Sequence, residues 1–416
     1  MSPLSEVHAE IDVSGIVVAF SDALDLVGGG VARHGKRVAY IAAHLAAELD
    51  LPAADREDAF LAAMIHDCGV SSSRMMARLL GADAEPPMEE DELDGHCEKG
   101  AALLAGFWPL QRLSRVVRHH HAPWERLSAS DVDPSEALLA SIVRIADHAD
   151  VLLRGAFGRP LADGVPGEAH PWSSGFAPGL AEAFRAVSAP PAFWFGLSPA
   201  HLDSWVAETR STVVPRMQPV SSLRPLAGIF AHVVDAKSPY TADHSVRVAR
   251  LARHLGELAG LAHEELEDLE IAGLLHDLGK LGVPDEILEK DGPLSPAERS
   301  IIERHPYETY QILRRVDVFR SIAGWAAWHH EQPNGKGYPF ALSGGEIPLP
   351  ARIVAVADGF QALAADRPYR RSMSPEAAMA RLTERARAGE LDSDVVHALG
   401  GALEECVEMA RGGGNG

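Results

Sequence analysis

Apolar positions recur with a helical period along most of the chain, and the helical stretches repeat. In "SVRVARLARHLGELAG" (245–260), Val246, Ala249, Leu251, Leu255 and Leu258 fall at roughly helical spacing. "EELEDLEIAGLLHDLGK" (264–280) reads as a helix ending near Gly279, a glycine suited to a helix C-terminus. "SPAERSIIERHPYETYQILRRV" (295–316) opens with Ser295 as N-cap, Pro296 in the first turn and Glu298 three residues on. The apolar run "LPARIVAVADGFQAL" (349–363) fits a strand or a buried helix, and its length and alanine content favour helix. "EQPNGKGYPFALSGGEIPLP" (331–350), dense in Gly and Pro, is a loop. The pattern predicts an all-α chain.

The chain contains an internal duplication. "VARHGKRVAYIAAHLAAEL" (31–49) aligns with "TADHSVRVARLARHLGEL" (241–258), setting His34 against His244 and Arg37 against Arg247. The interval from His34 to His66 is 32 residues, as is that from His244 to His276; His96 to His120 spans 24, as does His305 to His329. "RHHH" (118–121) then aligns with "AWHH" (327–330), and "SIVRIADHADVLL" (141–153) with "ARIVAVADGFQAL" (351–363), pairing Asp147 with Asp358. Shared apolar periodicity does not reproduce an ordered series of His, His-Asp, His, His-His and Asp. The series predicts two tandem helical domains, 1–212 and 213–416, joined near 211–222.

The order of these residues is itself chemical. An aspartate has two oxygens and can bridge two ions about 3.5–4 Å apart, with histidines completing each shell. His244, His276, Asp277, His305, His329, His330 and Asp358 form one such set. Imidazole with carboxylate suits Fe, Mn or Zn. With 38 basic and 59 acidic residues the formal charge is −21, which argues against broad binding to polymeric nucleic acid. An anionic small substrate is compatible if metals supply the local positive charge. No run approaches the ~18 apolar residues of a membrane helix, and the N-terminus lacks the pattern of a secretory signal. Three cysteines (Cys68, Cys97, Cys406) give no disulfide framework, so a cytoplasmic setting is expected.

"HDLGK" (276–280), "RHP" (304–306), "HHEQPNGKGYP" (329–339) and "VADGFQALAADRPYR" (356–370) resemble the HD-GYP family, a branch of the HD metal-dependent phosphohydrolases. The resemblance covers about residues 225–405, and the first half resembles a diverged HD domain. It implies two HD-type helical domains. It also implies a phosphodiesterase that opens a cyclic dinucleotide, most often cyclic di-GMP, to pGpG and GMP. The alternatives are the mixed GMP-AMP ring, another HD phosphohydrolase reaction on nucleotides, and a sensor that binds without hydrolysis. Two divalent ions, iron or manganese, would be held with Asp277 as the bridge, and a hydroxide between them would attack phosphorus in line with the leaving 3′ oxygen. Asp277 and Lys280 are the implied catalytic residues; Lys280, Tyr338, Arg367 and Arg370 would meet the substrate. A homodimer or an internal pseudo-dimer of the two halves is compatible with the duplication.

The chain departs from the family pattern at named positions. Tyr240 stands where some members carry a glutamate that helps hold a third metal. Asn334 replaces an aspartate in the "GYP" loop, and Thr309 replaces a glycine. In the first half His34, His66, Asp67, His96, His120, His121 and Asp147 all persist, so a second metal site is expected there. Val70 replaces the lysine, and "HHAPWERLSASDVDP" has no counterpart of the substrate loop. Metal in both halves, with phosphate chemistry in the second alone, is the resulting expectation.

Overall fold

The computed structural model describes residues 10–27, 33–80, 90–153, 175–212, 216–238, 243–364 and 372–411. Tyr240, Arg367 and Arg370 lie outside the described residues. Within them, helices supply almost all regular structure, as the sequence pattern predicts. Among the described residues strand is confined to a two-stranded sheet pairing Glu10–Asp12 with Met217–Pro219. Among the described residues no helix is long and apolar enough to cross a membrane.

The chain divides into two compact units, one of Asp12–Met217 and one of Met1–Ile11 with Gln218–Gly416. In the first, five helices carry the histidine series: α1 (His34–Glu48), α2 (Ala53–Ile65), α3 (Glu90–Ala105), α4 (Gln111–His119) and α5 (Pro134–Leu153). Helix α1 packs along α2 and α5, and α3 along α4. In the second the counterparts are α6 (His244–Leu258), α7 (His263–Leu275), α8 (His305–Leu313), α9 (Ala323–Ala327) and α10 (Leu349–Ala364). Helix α6 lies against α7 and α10, and α8 against α9.

The buried stripe of α6 is Val248, Ala249, Leu251, Ala252 and Leu255. Val246 is only half-buried and Leu258 is exposed, so two of the five positions expected inside are not. His244 sets the phase: it begins the helix pointing inward, and positions four, seven, eight and eleven residues on follow it into the core. Each fully buried leucine there contributes about 1.5–3 kcal/mol.

Helix α7 ends at Leu275, earlier than expected, and Leu278–Gly282 forms a 3₁₀ turn. His276 is therefore the C-cap of the helix, and Asp277 has left it, with φ −97° and ψ 8°. Gly279 is not a left-handed cap. A Cβ there would lie 2.0 Å from the His305 carbonyl oxygen, so the glycine permits a close backbone approach. Gly69 stands in the same relation, at the same 2.0 Å, to the His96 carbonyl. The expected capping box appears at Ser295 and Glu298, but that stretch breaks at Arg304, so that His305 starts the new helix α8.

Candidate metal centre

In each domain, helix ends carry most of the series inward. His34 and His244 are the first residues of α1 and α6, each preceded by a left-handed residue, Arg33 (φ 76°) or Asp243 (φ 59°). His66 and His276 cap α2 and α7, and His120 caps α4. Asp147 and Asp358 lie within α5 and α10.

The second domain brings its whole series together around Asp277. Oδ2 of Asp277 lies 3.4 Å from His244 Nε2 and 3.3 Å from His276 Nε2. Oδ1 faces the other way, 3.4 Å from His305 Nε2 and 3.9 Å from His329 Nε2. Asp358 Oδ1 lies 3.4 Å from His244 Nε2, on the Oδ2 side. His330 completes a cluster with His305 and His329. One carboxylate thus presents an oxygen to each of two donor groups.

The first domain repeats the arrangement around Asp67. Oδ2 lies 3.6 Å from His34 Nε2 and 3.4 Å from His66 Nε2; Oδ1 lies 3.5 Å from His96 Nε2 and 3.8 Å from His120 Nε2. Asp147 Oδ1 is 3.3 Å from His34 Nε2, and His121 joins His96 and His120.

The donor chemistry fits metal ions. Nδ1 of His276, His305 and His329 each donates to a carbonyl three residues earlier, at 2.7 Å, and His66 and His120 do the same at 2.8 and 2.6 Å. A ring whose Nδ1 carries the proton offers a lone pair at Nε2. Yet Nε2 of His305 faces Nε2 of His329 at 3.4 Å, and the His34–His66 pair faces at 3.2 Å. Two lone pairs at such distances repel unless a cation lies between them. His244 Nε2, His276 Nε2, Asp277 Oδ1 and Asp67 Oδ1 are buried with no hydrogen-bond partner. These clusters can hold metal ions.

The electrostatics agree. Burial alone lowers His276, but the Asp277 charge outweighs it and raises the ring above its ordinary value. Burial, reinforced by His276 and His305, takes His329 down to about 3. Burial raises Asp277, but His276, Lys280 and His244 more than compensate and hold it well below the usual carboxylate range. Each site keeps its carboxylates charged and favours added positive charge, which a metal supplies by displacing protons.

The two domains differ around this shared frame. Lys280 Nζ donates to Asp277 Oδ2 at 2.5 Å and stays partly exposed; Val70 is fully buried. Tyr338 stacks on His330 with ring centroids 4.9 Å apart. Its loop is held by the buried Glu331 carboxylate, which accepts from the Phe340 and Leu342 N–H groups at 2.7 and 2.9 Å. In the first domain the segment after His121 instead forms the short helix Trp124–Ser128. A cleft of about 320 Å³, part of it open solvent, borders the first cluster, lined by Ser21, Asp25, His34, His66, Asp67 and Met76 among others.

Several contributors escaped the sequence reading. Thr309 Oγ1 accepts from the Gly279 N–H at 2.9 Å and donates to the His276 carbonyl at 3.2 Å, bracing the His-Asp turn. The first histidines are oriented differently: His244 Nδ1 donates to Gln361 Oε1 at 2.6 Å, His34 Nδ1 to Asp150 Oδ2 at 2.8 Å. The Asp147–Asp358 alignment already pairs Asp150 with Gln361, the signal that could have revealed them. Cys97 lies beside His96 and His120, with Sγ 3.7 Å from His96 Nε2.

Residues 31–154 and 229–395 each match the HD domain family. A 3′3′-cGAMP-specific phosphodiesterase 1 of Vibrio cholerae serotype O1 is 34% identical over 383 residues, covering 90% of this chain and 88% of its own. The chain belongs to the HD family. It carries two HD domains in tandem, and the second, with Gly337-Tyr338-Pro339, is of the HD-GYP type. A crystal structure of a cyclic GMP-AMP specific phosphodiesterase of V. cholerae (V-cGAP3) superimposes with a TM-score of 0.63 at 25% identity, covering 95% of this HD protein and 98% of that chain. A cyclic di-GMP phosphodiesterase response regulator of Xanthomonas campestris is 40% identical over 158 residues, which is 37% of this chain and 41% of its own.

Proposed function

We propose that the second HD domain opens the ring of a 3′,3′-linked cyclic dinucleotide, with the mixed GMP-AMP ring preferred over cyclic di-GMP. The observation that carries the preference is the extent of the likeness. The tandem of HD domains is matched along nearly its whole length by relatives named for the mixed ring. Relatives named for cyclic di-GMP match between 31% and 50% of the chain, and one relative named for the mixed ring matches 34% of it. Cyclic di-GMP, the substrate most often associated with the family, becomes the second choice.

In this reading His244, His276 and Asp358, with His305, His329 and His330 on the other side of Asp277, would hold two divalent ions together with that aspartate. A donor set of imidazole and carboxylate suits iron or manganese. Two such ions supply Lewis acidity, and with it a water-derived nucleophile at neutral pH. The chain's own residues do the rest. Lys280, on the partly exposed side of Asp277, places an ammonium beside a phosphoryl oxygen. Tyr338, fixed against His330 by the loop that Glu331 anchors, lines the approach. Arg367 and Arg370 would contact the substrate phosphates. The P–O3′ bond breaks, the water oxygen joins phosphorus, and the 3′ oxygen leaves with a proton as the linear dinucleotide forms. In the first domain His34, His66 and Asp147, and His96, His120 and His121, share Asp67 in the same way. That domain holds metal without hydrolysing the dinucleotide.

Initial rates of the manganese-loaded full chain on the two rings, with products separated by chromatography, test the proposal. The expected result is a linear product from both, with kcat/KM higher for the mixed ring by about tenfold, the worth of one hydrogen bond to a base edge. Faster cleavage of cyclic di-GMP would reverse the substrate preference. Binding of either ring without cleavage would make the domain a sensor.

A further inference from the structure

We infer that Cys97 is a thiolate ligand of the first domain's metal site, so that this site, unlike the second, favours a thiophilic ion such as zinc. The inference rests on the reading above that the first domain holds metal.

Cys97 Sγ, His96, His120 and His121 form a group in which one donor atom from each lies within 4.8 Å of all the others. The sulfur is buried, 3.7 Å from His96 Nε2; on the His120 ring it lies 3.6 Å from Nδ1 and 4.0 Å from Nε2. The two Nε2 atoms are 3.4 Å apart. Ligands sharing one tetrahedral zinc, with bonds of about 2.0–2.1 Å to nitrogen and 2.3 Å to sulfur, stand roughly 3.3 Å apart for N···N and 3.6 Å for N···S. The His96–His120 and His96–Cys97 spacings are close to that pattern, and the His120 Nε2–Cys97 Sγ spacing of 4.0 Å is longer. The second domain has nothing equivalent, because Pro306, in the first turn of α8, occupies the matching position after His305.

A second observation points the same way. His305 Nδ1 is tied to the Ile302 carbonyl at 2.7 Å, but His96 Nδ1 is buried with no hydrogen-bond partner. His121 Nε2 is likewise buried and unpartnered. His96 is therefore less committed to the protein than its counterpart His305, whereas His120 is tied to the Val117 carbonyl as His329 is to the Ala326 carbonyl. Cys68, the neighbouring cysteine, is placed differently, with its Sγ 3.6 Å from the Gly100 carbonyl oxygen. Soft thiolate donors select zinc over manganese, and nitrogen and oxygen donors do so less strongly. Binding exchanges the S–H proton for the ion and releases that proton to solvent.

Cobalt substitution of the full chain tests this, because a thiolate bound to Co²⁺ gives a near-ultraviolet charge-transfer band that nitrogen and oxygen ligands do not. The band is expected in the wild-type chain and in Cys68→Ser, and lost in Cys97→Ser, with cobalt per chain counted in parallel. In zinc-manganese competition, Cys97→Ser is expected to lose about tenfold or more of the first domain's preference for zinc. If cobalt binds both domains without the band, or the band survives Cys97→Ser, the thiolate assignment is wrong. If cobalt loads only the second domain, the reading of metal in the first domain fails instead. Cys97→Ala, which keeps a small buried side chain, separates a folding defect from loss of the ligand: the band must vanish there too, while the far-ultraviolet circular dichroism is unchanged.

Discussion

Gly279 and Gly69 matter for the space they leave. Each lets the His-Asp turn approach the carbonyl of the third histidine more closely than any side chain would permit, at 2.0 Å from the position a Cβ would occupy. That contact packs the His-Asp turn directly against the third histidine of each site. Gly279→Ala is therefore expected to destabilise the second domain by about 1–3 kcal/mol through overpacking. It should also lower that domain's metal content, measured by thermal unfolding and elemental analysis of one preparation. Full metal occupancy with an unchanged melting temperature would show that the close approach is not needed. At this scale the sequence showed the histidines and aspartates in order, because their types and intervals repeat. It did not show what holds them. Asp150 and Gln361 orient the first histidines from another helix, and Thr309 replaces a glycine yet braces the turn with two hydrogen bonds. Cys97 was invisible for a different reason: three cysteines suggest only the lack of a disulfide framework, while the sulfur's worth depends on which imidazoles fold around it.

The helices were legible as elements and less so at their ends. α10 could have been read as a strand, and its helical form follows from length and alanine content. α7 stops at Leu275 because the chain must turn there to present both His276 and Asp277. A pattern of apolar residues carries no sign of that turn. The substrate loop shows what a departure from the family costs. Asn334, which replaces the family's aspartate, anchors the loop: its N–H donates to the Gly389 carbonyl at 2.9 Å, and Nδ2 to the Ala388 carbonyl at 3.1 Å. Restoring the family's aspartate would set a carboxylate oxygen against that carbonyl. Asn334→Asp should raise KM for the dinucleotide and leave metal content unchanged. A lower KM would mean that the loop gains from the charge and that the anchoring bond contributes little.

Across the whole molecule, duplication has kept two donor frames and changed what surrounds them. The first has lost the lysine and the loop and carries a thiol and a cleft; the second keeps Lys280, Tyr338 and a set of nitrogen and oxygen donors. Restoring one residue does not restore the chemistry. Val70→Lys, in a chain whose second domain is disabled, is expected to give no turnover, because Val70 is fully buried and no "GYP" loop faces it. Measurable hydrolysis by that chain would mean that the lysine alone separates the two domains. The division of labour itself is tested most directly by 3′3′-cGAMP hydrolysis in the full-length Asp277→Ala chain, with bound ions counted in the same sample. Turnover is predicted to fall on the order of 10³-fold or more, while the first domain keeps its ions and total metal drops by half. Turnover near the wild-type rate, from a chain that has lost the second domain's ions, would contradict the account.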